Sequence, residues 1–184
     1  MRQYHATLAS TSVTLSSTCA IPVIFGGTWL SYRAMMDFEQ LAFIEKWRLK
    51  ATRGVVIVLD GSRGDILMTV RTGELGERLD LRGRDATGAA RKQRLAIGDR
   101  VTLAIEYRAK DVRAGTGNVA VSGGLVAPNA TVEGTVSEVG EIVVVDCGAA
   151  VLVRGDTLGK VNVGDAVEFT VDGEGVAYVI PTRG

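Results

Sequence analysis

From Thr52 onward, apolar residues recur with a period of two, in short runs separated by glycine. That is the pattern of strands with one face buried and tight turns between them. The stretch before it differs. Between residues 31 and 50, Met35, Phe38, Leu41, Ala42, Glu45 and Trp47 fall at partly helical spacing, with Asp37 and Glu39 early and Lys46, Arg48 and Lys50 late. This charge order complements a helix dipole and predicts one substantial helix. Leu8, Val13 and Leu15 lie among Thr and Ser and predict an extended segment over residues 6–15, ahead of an apolar run at 21–25 that ends at Gly26-Gly27.

The β-patterned stretch repeats itself. Residues 54–56 match 134–136, 64–70 match 140–146, 78–83 match 150–155, 95–105 match 161–171, and 118–121 match 176–179. Ordered matches with drifting separation are what a duplicated unit leaves behind, the first copy having the longer loops. Five segments per copy predict five strands. The expected fold class is therefore mainly β: two tandem five-stranded small antiparallel barrels with an N-terminal extended arm and one helix. The divisions are 1–51 for the arm and aromatic-rich helix, 52–127 for the first barrel and 128–184 for the second.

The fourth segment of each copy carries a Gly-Asp turn, Gly98-Asp99 and Gly164-Asp165, leading into a strand whose alternate residues are apolar. With a short closing strand after it, this arrangement resembles the oligonucleotide/oligosaccharide-binding (OB) fold. The resemblance is architectural and spans the two repeats. It implies a small barrel, and a fold of this kind hosts many unrelated functions.

Charge separates the copies further. The net charge of zero conceals +2 on residues 1–51, +4 on 52–127 and −6 on 128–184. A basic front and an acidic back favour head-to-tail contact between copies. Of the ten aromatic residues, seven lie in the first 47, and Trp29, Tyr32, Phe38, Phe43 and Trp47 belong to the expected helix or its approach. Trp and Tyr are enriched in interface hot spots, so these five are the candidate protein-interface residues.

The chemistry of the chain is sparse. One histidine, His5, and two cysteines, Cys19 and Cys147, provide neither a His-based catalytic set nor a structural zinc site. No phosphate loop, dinucleotide fingerprint or nucleophile elbow occurs, and no cofactor is called for. No catalytic or metal residue is assigned, and no small-molecule substrate is evident. The N-terminal stretch is diluted by Ser and Thr, unlike a secretion signal, and no run is long enough to span a membrane. A soluble chain, cytoplasmic or part of a virion rather than secreted, is expected.

The leading expectation is a non-enzymatic structural or assembly protein, a virion or other large-complex component, self-associating or docking through its N-terminal arm and complementary barrel charges. The alternative is a nucleic-acid-binding protein that uses the basic stretch of the first copy: Arg82, Arg84, Arg91, Lys92 and Arg94. Such a stretch can track phosphates. Beyond residue 51, however, only Tyr107, Phe169 and Tyr178 could serve as platforms for stacked bases.

Overall fold

The computed structural model describes residues 38–61, 65–73 and 78–180. The expected extended segment at 6–15 and the candidates Trp29 and Tyr32 lie outside these residues. Within them the chain is mainly β, with one longer helix, α1 (Phe38–Trp47), extended by a 3-10 turn at Arg48–Lys50.

The longest strand organises the rest. It is β4 (Arg100–Ala114), in which Val101, Leu103, Ile105 and Tyr107 alternate inward and are buried. Its first half pairs antiparallel with β1 (Thr52–Asp60) on one side. On the other side it pairs with β11 (Gly175–Ile180), the last strand described. β1 continues to β2 (Leu67–Thr72) and then β3 (Leu79–Asp85), and β3 lies parallel to β11. The pairing thus returns to its start through β1, β2, β3, β11 and β4.

A second circuit has the same form. β7 (Thr131–Glu138) pairs with β8 (Val143–Asp146), which pairs with β9 (Ala150–Arg154). β9 lies parallel to the second half of β4, that half pairs with β10 (Ala166–Val171), and β10 pairs with β7. All eleven strands among the described residues, including the two-residue β5 (Ala120–Val121) and β6 (Leu125–Val126), form one sheet.

The strand that completes each circuit therefore comes from the other half of the chain. This corrects the expected role of residues 118–121: Ala120 and Val121 pair with Glu133 and Val132 of β7 and close nothing in the first half. The reason is local. No glycine or proline interrupts the chain between Arg100 and Ala114, so β4 runs on into the second half. β10 is interrupted after Val171 by Asp172-Gly173, with Gly173 at φ +76°, and the chain turns to lay β11 against β3.

The Gly-Asp turns recur bond for bond. Gly98 N donates to Val56 O and Gly164 N to Val136 O, both at 2.8 Å. Asp99 Oδ2 accepts from Ala96 N at 2.8 Å, and Asp165 Oδ2 from Asn162 N at 2.7 Å. Gly98 and Gly164 have φ of +98° and +93°, the region where a side chain is strained. Each first strand also shifts register at matching places, between Val56 and Val58 and between Val136 and Glu138. The ladders refine the sequence matches: Val70 takes the place of Val145 and Leu81 that of Val151, a shift of one and two residues from the sequence alignment.

One apolar cluster runs through both circuits, from Val56 and Leu81 to Val145 and Phe169. A smaller one lies on the outer face, under α1.

Candidate functional site

α1 spends most of its apolar side on the chain's own sheet. Trp47, 3% exposed, sits among Ala104 of β4, Val144 of β8, Leu152 of β9 and Ile142. Ile44 packs on Ile180 of β11. Phe43 stacks on Tyr178 and lies 6.2 Å from the Trp47 ring, tilted by 50°. Polar bonds pin both ends: Gln40 Nε2 donates to Ala86 O at 2.9 Å, and Lys50 Nζ is 3.1 Å from Glu138. The helix thereby straddles strands of both circuits. Of the interface candidates among the described residues, Phe43 is half-buried and Trp47 buried within the chain, while Phe38 is 83% exposed. Leu49, just past the helix and 94% exposed, was not foreseen, because helical spacing alone does not say which side the sheet takes.

The basic stretch is dispersed by the fold. Arg82 and Arg84 lie on β3 and are matched by acids: Arg82 Nε is 3.5 Å from Glu174, and Arg84 Nη1 is 3.0 Å from Asp65. Beyond β3 the chain forms a one-turn helix, α2 (Ala89–Lys92), seated on the buried Asp85. Asp85 Oδ1 accepts from Thr87 N at 3.0 Å and Thr87 Oγ1 at 2.7 Å, and Oδ2 accepts from Ala90 N at 2.8 Å. Lys92 Nζ donates to Thr87 O at 3.1 Å. Arg91 and Arg94 are exposed and make no ion pair among the described residues.

None of the three aromatics of the β region offers an open platform. Tyr107 is fully buried and donates its hydroxyl to Arg82 O at 3.0 Å; burial drives its pKa well up. Phe169 is a core residue, and Tyr178 lies under Phe43. The Cys147 thiol is buried, and desolvation pushes it up to about 12, far from a reactive thiolate.

In the second circuit, Glu133 accepts from the hydroxyl and backbone N–H of Thr116 and from Gly117 N. These bonds hold its carboxyl below the usual glutamate value. They also fold residues 115–121 down over β7. Sequence reading missed this contact, which depends on a carboxylate and a loop far apart in the chain. Among the described residues no three of His, Cys, Asp and Glu gather as a metal site would require, and no helix is long and apolar enough to cross a membrane.

No protein-family model matches the chain, and no curated protein matches it. One solved structure is similar: a crystal structure of the cytoplasmic molybdate-binding protein ModG with molybdate bound, at 18% identity and a TM-score of 0.39, covering 71% of this chain and 95% of that one.

Proposed function

We propose that each pairing circuit is a small OB-like barrel, that the two barrels exchange their closing strands, and that the chain serves as a non-catalytic component of a larger assembly. The observation that carries this is the division of labour on α1. Its inner side ties both circuits together through Phe43, Ile44 and Trp47, yet Phe38 and Leu49 are left almost fully exposed at its two ends. Large exposed apolar side chains on a well-anchored element are suited to contact with another chain. The split of +6 on residues 1–127 against −6 on 128–184 adds a means of orienting such contact.

Mass photometry of the full chain at low and high salt tests this. Assemblies larger than the monomer are expected, reduced in Phe38→Ser/Leu49→Ser at unchanged thermal stability. A monomer at every concentration and salt, with no partner retained by the wild type and lost by this variant, would sink the reading.

The alternative, nucleic-acid contact through the basic stretch, draws support from Arg91 and Arg94, which are exposed without acidic partners among the described residues. It requires affinity that falls steeply with salt and with substitution of those two residues.

A further inference from the structure

We infer that the first circuit carries a binding groove for a phosphate group borne on an organic ligand, built by Arg53, Arg71 and Arg100.

The groove, about 540 Å³, is lined by Arg53, Gly54 and Val55 of β1, Arg71 and Gly73 at the end of β2, and Arg100, Val101 and Thr102 of β4. The ladder sets the side chains on one face. Val55 is opposite Arg71 on one side and Arg100 on the other, and Arg53 is opposite Thr102. Side chains directly opposite in a ladder point the same way, and residues two apart in a strand share a face. The three guanidinium groups therefore flank Val55 on one surface. Asp80 of β3, directly opposite Arg71 and on the same face, fixes it with two bonds of 2.8 Å, leaving part of its five-donor fork unused. Arg53 and Arg100 are exposed and have no ion-pair partner among the described residues.

The second circuit shows how the same place is filled. In its ladder Glu133 stands opposite Glu168, and Thr135 opposite both Ala166 and Asp146. These positions correspond to Arg53 and Thr102, and to Val55, Arg100 and Arg71. Where the first circuit has Arg53 and Arg71, the second has Glu133 and Asp146; Ala166 takes the place of Arg100, and Glu168 that of Thr102. There the chain supplies the occupant: residues 115–121 lie along β7, with Thr116 and Gly117 donating to Glu133 and Ala120 pairing with it. The first circuit inverts the charge, so its occupant must bring negative charge and acceptor oxygens. A carboxylate can satisfy one guanidinium fork, whereas a phosphate presents several oxygens and up to two charges to several forks at once. The groove is far larger than a bare phosphate and has the size of a small-molecule pocket. The apolar Val55 and the Thr102 hydroxyl offer contacts to the body that carries the phosphate.

That phosphate could belong to a free nucleotide or to a nucleic-acid backbone, and titration of the full chain separates the two. Inorganic phosphate, AMP and a fluorescent oligothymidylate are titrated at roughly 50 mM salt, the low end of such measurements. Binding of AMP or the oligothymidylate is expected, and Arg53→Gln/Arg100→Gln should weaken it at least about tenfold, the loss of one charge-assisted contact or more. Arg91→Gln/Arg94→Gln should bind as the wild type does. Arg53→Lys/Arg100→Lys should lie between, since the charge stays and the fork is lost. A preference for AMP identifies a nucleotide site; a preference for the strand identifies a backbone site. The inference is overturned if the wild type binds neither, if inorganic phosphate binds as well as both, or if the Arg91/Arg94 variant loses binding while the Arg53/Arg100 variant keeps it. Equal melting temperatures of the variants separate lost binding from lost folding. Failure here leaves the assembly reading standing, because that rests on Phe38 and Leu49.

Discussion

Phe43 stacks on Tyr178, with ring centroids 4.0 Å apart and planes 26° from parallel. The contact joins the only long helix described to β11, the strand that completes the first circuit from the far end of the chain. It makes α1 part of the fold's closure rather than an appendage. Trp47, buried one turn further on, should matter more. Trp47→Ala is expected to cost about 3–5 kcal/mol and Phe43→Ala less, because Phe43 is half-buried. Urea unfolding followed by circular dichroism measures both; equal, negligible losses would mean that α1 does not pack as described.

Exchange of closing strands couples the two halves. A chain ending at residue 172 lacks β11, so β3 and the first half of β4 lose a partner on one side. We expect it not to fold cooperatively in either half, and the full chain to unfold in a single transition. Two separate calorimetric transitions in the full chain would contradict this.

The duplicated Gly-Asp turns provide a matched pair of substitutions. Asp99→Ala and Asp165→Ala each remove a carboxylate bond to a backbone N–H, at Ala96 and Asn162. Each should cost about 1 kcal/mol, and the double variant the sum of the two, since the sites share no partners. A double variant far from additive would show that the turns are not independent equivalents.

Glu133 confers a pH dependence whose sign follows from its bonds. Donors from Thr116 and Gly117 favour the ionised form and lower its folded pKa. Its stabilisation is therefore fully present above the ordinary glutamate value and is lost as pH falls through the lower, folded one. Glu133→Gln should flatten this part of the stability profile in acid, and amide exchange at Thr116 and Gly117 should quicken. An unchanged acid limb in the variant would remove Glu133 from the explanation.

The burial of Cys147 sets a chemical expectation. With its thiol at about 12, alkylation by iodoacetamide at pH 8 should leave Cys147 unmodified in the folded chain and label it in urea, as peptide mapping would report. Rapid labelling in the native state would mean that the pocket around it opens.

Much of this fold was legible in the sequence because its signals are local. Alternation marked the strands from Thr52 onward. Gly98-Asp99 and Gly164-Asp165 marked matching turns, because glycine tolerates the positive φ and aspartate caps the backbone beside it. Spacing and charge order over residues 31–50 marked one helix; the α-helix ends at Trp47 and a 3-10 turn carries the chain on to Lys50. What the sequence alone could not decide was partnership between distant segments. Nothing in residues 100–114 says that one half of the strand belongs to each circuit, because inward alternation reads the same whichever strands lie alongside. Val144 reads as one more valine in a strand and is buried on the outward side in the cluster it forms with Trp47, Ala104, Ile142 and Leu152. Arg53, Arg71 and Arg100 lie far apart in the chain and meet on one face only through ladder register, whereas Arg82, Arg84, Arg91, Lys92 and Arg94 are adjacent in sequence and are dispersed by the fold. Periodicity, turns and charge order depend on neighbours within a few residues, so the chain determined them by itself. Strand exchange, the seat of α1 and the arginine groove depend on which surfaces meet, and only tertiary packing decided those.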